Sequence, residues 1–121
     1  MSNKMRAALV ATLIAIGAAP SAHAIEIGEL KQLIQQAKTD PDIVAMIDTY
    51  LAGLIEGMTV MNVVSNPTDR SYCPPPTLTL TKENARAFIL NSPAVMANTA
   101  DKFPASLVPL HELRRAFPCK P

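Results

Sequence analysis

The chain has 121 residues, of which 49% are hydrophobic and 17% charged, and its formal net charge is +1. This composition fits one small globular domain. With no run of basic residues longer than Arg114-Arg115, it lacks the concentrated basic patch that nucleic-acid binding needs.

The N-terminus reads as a signal peptide. Lys4 and Arg6 supply the positive region and Ala7 to Ala19 the apolar region, and Ala22-His23-Ala24 after Pro20 forms an A-x-A cleavage pattern. Cleavage is expected after Ala24, so that residues 1–24 are removed and residues 25–121 form the mature domain. The alternative is a retained anchor, but the apolar run is short for a span of about 20 residues. Loss of Lys4 and Arg6 turns the formal charge of +1 into −1 and leaves His111 as the mature chain's single histidine. No membrane association is expected after cleavage.

Leu30, Leu33, Ile34 and Ala37 have helical spacing, with Glu26 and Glu29 in front and Lys38 behind, so a short first helix is expected. Asp42 to Val64 then carries the longest amphipathic pattern of the mature chain. Ile43, Ile47, Tyr50, Leu51, Leu54, Met58 and Met61 recur at steps of three and four, opposite Asp48, Ala52, Glu56 and Thr59. Asp40 suits the N-cap and Pro41 the first helical position, while Asn66-Pro67 stops the helix near Ser65. Gly53 and Gly57 each cost roughly 1 kcal/mol of helix propensity. Close approach of a second helix of the same chain is the expected compensation. A homodimer packed across the two glycines is the alternative; an ordinary membrane span is excluded by Asp48 and Glu56.

Thr68-Asp69-Arg70-Ser71 reads as a polar turn, and Tyr72-Cys73-Pro74-Pro75-Pro76 as a stiff extended strut. A further helix is expected from Thr79 or Thr81, with Ala85, Phe88 and Ile89 inward, until Ser92-Pro93 interrupts it. Periodicity does not decide between helical turns and loop for Ala94 to Phe103. From Ser106 the pattern returns, placing Leu107, Leu110, Leu113 and Phe117 on one face and His111, Glu112, Arg114 and Arg115 elsewhere. Pro109 fits only the first turn of that helix, with Ser106 as N-cap. The expected fold is all-α, a small bundle of about four helices around a long central one.

Cys73 and Cys119 are the only cysteines, and each lies beside prolines at the end of an element. An intrachain disulfide is the economical reading, with an intermolecular bridge or free thiols as alternatives. Catalysis finds little footing. One histidine and two disulfide-bound sulfurs build neither a zinc site nor a Cys-His nucleophile, and His111 reads as solvated. A cap explains Asp40 and Asp42, a solvated face explains Asp48 and Glu56, and no phosphate-cradling glycine loop is present. The chain therefore reads as a non-enzyme without cofactor or metal.

Three strings, Tyr50-Leu51-Ala52-Gly53, Tyr72-Cys73-Pro74-Pro75 and Leu113-Arg114-Arg115-Ala116-Phe117-Pro118-Cys119, together resemble the Rap/Tai-type family of type VI secretion immunity proteins. The resemblance runs from about Tyr50 to Cys119, and the terminal Ala-Phe-Pro-Cys box is its most specific part. It implies a periplasmic, often dimeric inhibitor that blocks a peptidoglycan-cleaving effector, a cell-wall amidase or other hydrolase. Pro109 and the irregular stretch from Asn98 to Pro104 depart from the family pattern. The best candidate for a partner surface is the charged loop Ser65 to Ser71, with Asn66, Thr68, Asp69 and Arg70 as contacts; the alternative is that this loop is a simple solvated connection. A periplasmic acid-stress chaperone is the second reading, disfavoured because the chain holds few titrating groups; an exported helical domain of another role is the remainder.

Overall fold

The computed structural model describes residues 23–121; the expected signal segment, apart from His23 and Ala24, lies outside the described residues. Five helices follow in order: α1 Ile27–Gln36, α2 Pro41–Val64, α3 Lys82–Asn91, α4 Pro93–Met96 and α5 Leu107–Ala116, with a 3-10 turn at Pro67–Asp69. Among the described residues no named strand occurs. The fold is all-α, and the Cys73–Cys119 disulfide closes it across 46 residues of sequence.

Local chemistry accounts for most helix ends. Asp40 accepts a hydrogen bond from the Asp42 amide, with Pro41 as first residue of α2. Of the two candidate threonines, Thr81 caps α3: its hydroxyl accepts from the Asn84 amide while the Asn84 side chain accepts from the Thr81 amide, a reciprocal capping box. Ser92 ends α3 and precedes Pro93, the first residue of α4. Pro109 sits in the first turn of α5, where its missing amide leaves no gap in the helix ladder, although the Ser106 side chain makes no cap bond.

Helix α1 solves its N-terminus differently. Glu26 makes no side-chain cap bond. Instead the Ile27 amide donates to the Phe103 carbonyl and the Gly28 amide to the Asp101 carbonyl, both at 2.9 Å, while the Ala105 amide donates to the Ile25 carbonyl at 2.8 Å. An isolated antiparallel bridge, Glu26 to Pro104, lies between these bonds. The segment left undecided by periodicity is therefore the short helix α4 followed by turns that cap α1 and launch α5. Lys31 fastens the same segment. Its ammonium donates to the Val95 carbonyl at 3.3 Å, to Asp101 Oδ1 at 3.0 Å and to Asn98 Oδ1, and Asn98 adopts a left-handed φ of 56°.

The core joins all of the longer helices. Ile27 and Leu30 of α1, Ile47, Leu51 and Ile55 of α2, Ala85 and Ile89 of α3 and Val108 and Leu113 of α5 are buried, together with Tyr72 from the strut. Helix α3 packs against α2, α4 and α5, so the shorter helix is the shared centre, and α2 lies along its flank and that of α1. The inner stripe of α2 is Ile47, Leu51, Ile55 and Asn62, with the expected Ile43, Tyr50, Leu54 and Met58 half-buried against the core; only Met61 of the expected stripe lies outside, at 66% exposed, and Asn62 takes the inward place. At that end Asn62 turns inward and bonds the backbone of the strut at Tyr72.

Two expected faces are corrected. On α5 the buried residues are Val108, Pro109, Glu112 and Leu113, whereas Leu107 is exposed. Glu112, expected on the wet side, is 6% exposed, and its Oε2 accepts from Arg115 Nη2 at 2.6 Å and Nε at 3.1 Å. On α2 Asp48 is not a free solvated carboxylate but joins α3, accepting from Lys82 Nζ at 3.0 Å and from the Arg86 guanidinium.

Candidate interaction surface

The loop after α2 begins where Asn66-Pro67 stops the helix and ends where Tyr72 enters the core. Its middle is the 3-10 turn Pro67–Asp69, closed by the Asp69 amide donating to the Asn66 carbonyl at 2.8 Å. Asn66, Thr68, Asp69 and Arg70 are all exposed and contiguous, so the four residues expected to contact a partner lie together on one surface.

What fixes that loop is Asn62, a residue that sequence reasoning did not single out. Its Nδ2 donates to the Tyr72 carbonyl at 2.8 Å, and its Oδ1 accepts from the Ser71 amide at 3.0 Å and from the Tyr72 amide at 3.4 Å. Asn62 is buried, and a buried amide side chain with every group engaged rigidifies the backbone it holds. The available signal was weak: a single asparagine on an otherwise apolar helix end, in line with Ile55 and Leu51.

The loop's far side is held by covalent and backbone links. The Cys73 amide donates to the Phe117 carbonyl at 2.8 Å, the disulfide joins Cys73 to Cys119, and Cys119 Sγ lies 3.6 Å from the Arg70 carbonyl oxygen. The strut therefore leans on the C-terminus of α5, and a groove of about 480 Å³ remains between the strut and the end of α2, lined by Thr59, Val63, Arg70, Tyr72, Pro75 and Leu78. Tyr72 is 2% exposed, and its hydroxyl has no hydrogen-bond partner among the described residues. The neighbouring Thr59 hydroxyl donates to the Ile55 carbonyl at 2.7 Å and keeps its acceptor lone pairs. Burial pushes the Tyr72 phenol above its ordinary range, with the nearby Thr59 hydroxyl opposing it.

The glycines are the clearest departure from expectation. Among the described residues, no atom beyond the helix's own backbone lies within 4 Å of a Cβ placed at Gly53 or Gly57, so no intrachain helix packs there. Both line an open groove with Leu54, Met58, Met61 and Leu110. The glycine that permits a close approach is Gly28, where a Cβ would sit 3.2 Å from both Cβ and the carbonyl oxygen of Asp101. His111 is exposed and borders an apolar hollow with Phe103 and Leu107. Among the described residues no group of three or more His, Cys, Asp or Glu is placed to hold a metal ion.

The surface presents a pinned polar turn beside an apolar groove. Such an arrangement suits contact with another macromolecule, because the loop is ordered before it binds. Comparison with protein-family models, with curated proteins and with solved structures finds no match to this chain.

Proposed function

We propose that this chain is an exported, non-enzymatic binding protein of the immunity type, which inhibits a peptidoglycan-cleaving type VI secretion effector by stoichiometric contact. The observation that carries the reading is the exposed turn Asn66, Thr68, Asp69 and Arg70, which leaves the end of α2 on one side and is pinned on the other, at Ser71 to Cys73, by Asn62 and the Cys73–Cys119 disulfide. A turn held on both sides reaches a cleft without the ordering cost of a flexible loop. Its adjacent opposite charges, Asp69 and Arg70, offer a register for a polar partner, and charge complementarity of this kind sets specificity more than affinity. The disulfide supports an oxidising compartment such as the periplasm. The partner implied is a cell-wall amidase or other hydrolase.

The test is co-expression of the exported protein with cell-wall hydrolase effectors encoded in the same genome, followed by co-purification. One effector is expected to co-purify at a fixed ratio and to lose its lytic effect. Replacing the pair by Asp69→Arg and Arg70→Glu is expected to abolish the complex while leaving the melting temperature unchanged. Absence of binding and of protection with every effector, with the disulfide intact, removes the immunity reading.

A further inference from the structure

Ser92 sits between α3 and α4, is 5% exposed, and stands at the N-cap of α4. A serine at that position ordinarily spends its hydroxyl on an amide of the first turn, yet Ser92 makes no such bond, and its hydroxyl has no partner among the described residues. The oxygen is not sealed in. Among the described residues the Tyr72 hydroxyl is the one enclosed side-chain polar atom without a partner, so Ser92 Oγ keeps a path outward. That path is the hollow of about 330 Å³ between α1, α4 and the start of α5, with Ile27, Ser92 and Val108 as its floor.

Larger, exposed side chains form the rim. Phe103 is 56% and Leu107 48% exposed, and His111 follows Leu107 by one turn of α5. Their backbone is fixed before anything binds. The Phe103 carbonyl accepts from the Ile27 amide and the Phe103 amide donates to the Ala100 carbonyl, both at 2.9 Å, while the Leu107 amide donates to the Pro104 carbonyl at 3.1 Å. The hollow is thus a preformed apolar recess with two rings on its rim and one unspent hydroxyl in its floor.

We propose that this recess takes the side chain of a tyrosine presented by a partner protein. A cavity of about 150 Å³ is enough to hold benzene, so the recess has room for one substituted ring and its stem. An aromatic group gains more than buried area there, because Phe103 and His111 can meet it offset or edge to face. A bare phenyl or alkyl group would leave the Ser92 oxygen desolvated and unpaired. The phenol hydroxyl both donates and accepts and so suits the serine in either sense, whereas an indole only donates. An ionised head fits poorly, since no lining residue carries a fixed charge. Phe103 and Leu107 also turn about half of their surface outward, which a free phenol in the recess would leave wet and a protein surface around the tyrosine would cover. No lining residue belongs to the turn from Asn66 to Arg70, so the inference stands apart from the effector reading.

The experiment titrates the exported, oxidised protein with N-acetyltyrosinamide and with N-acetylphenylalaninamide, followed by amide-resolved NMR. The tyrosine probe is expected to bind in the millimolar range and to shift the amides of Ser92, Phe103 and His111. It is expected to bind about three- to tenfold more tightly than the phenylalanine probe, the span that one neutral hydrogen bond gives. Ser92→Ala should remove that preference with an unchanged melting temperature, and Leu107→Lys should weaken both probes alike. Equal affinity of the two probes for the wild type overturns the proposal, as does a preference that survives Ser92→Ala. Shifts that map elsewhere, or that fail to saturate, overturn it too. p-Cresol binding more than about tenfold tighter than N-acetyltyrosinamide would assign the recess to a free phenol, and benzoate binding tighter than either would assign it to an aromatic acid; both results overturn the tyrosine assignment.

Discussion

The side-chain amide of Asn62 grips the peptide groups on both sides of Tyr72: Nδ2 donates to the Tyr72 carbonyl at 2.8 Å, and Oδ1 accepts from the Ser71 amide at 3.0 Å and the Tyr72 amide at 3.4 Å. One residue of α2 thus supplies what a missing strand or helix would otherwise supply, paired backbone for a chain that turns from an exposed loop into the core. Replacing it by alanine leaves a buried carbonyl and two amides without partners. Asn62→Ala is expected to cost about 1–3 kcal/mol, read from the shift in the urea midpoint at constant slope. It is also expected to speed amide exchange at Ser71 and Tyr72 before it affects α3.

Tyr72 itself gives a prediction of the opposite sign. Its ring is in the core, but its hydroxyl has no partner among the described residues. Removing a buried donor that makes no bond relieves a desolvation penalty while keeping the ring's packing. Tyr72→Phe is therefore expected to leave stability unchanged or raise it by up to about 1 kcal/mol, whereas Tyr72→Ala should cost about 3–5 kcal/mol through the cavity it opens. A melting temperature for Tyr72→Phe several degrees below wild type would show that the hydroxyl has a partner.

The glycines should separate by position. Gly53→Ala and Gly57→Ala meet open space and recover helix propensity, so each is expected to add about 0.5–1 kcal/mol in dilute solution, where association does not contribute. Gly28 borders Asp101 at 3.2 Å, and Asp101 is held there by its carbonyl's bond from the Gly28 amide and its side chain's bond from Lys31. Gly28→Val is expected to cost about 1–3 kcal/mol by overpacking a neighbour that cannot move freely. Denaturant midpoints of the three variants, measured side by side, check the order.

Asp48 links stability to pH. A hydrogen bond from Lys82 and the charges of Lys82 and Arg86 hold its carboxyl below the usual carboxylate range, against a smaller opposing effect of desolvation. Because the folded value lies below the unfolded one, the contribution is fully present above the unfolded value, near 3.8, and is lost as pH falls from there through the folded value. Asp48→Asn should therefore reduce stability at neutral pH, with the gap to wild type closing on acidification toward pH of about 2. Urea titrations of both proteins across that range give the comparison, and a gap that stays constant would show that the pairs with Lys82 and Arg86 do not bias the carboxyl.

Much of the fold was legible because the signals that start and stop helices act over three or four residues. Asp40 with Pro41, Asn66 with Pro67, Thr81 with Asn84 and Ser92 with Pro93 each satisfy or deny a nearby amide, and that chemistry is complete within the local sequence. The pairing of Cys73 with Cys119 was legible for a simpler reason, an even count with one combination. The exposure of the four loop residues Asn66, Thr68, Asp69 and Arg70 was also legible, since a polar turn between a stopped helix and a proline strut has nowhere to go but the surface.

The rest depended on what lies across from each side chain. Local spacing marks a helix face as apolar but does not say which angle of it meets a neighbour, so the end of α2 turned inward at Asn62 and not Met61, and α5 buried Glu112 with Arg115 and left Leu107 outside. The same limit misassigned the glycines. A missing side chain is neutral information until a backbone approaches it, and the approaching backbone at Gly28 belongs to Asp101, 73 residues away in the chain, whereas among the described residues no other segment comes within 4 Å of a Cβ at Gly53 or Gly57.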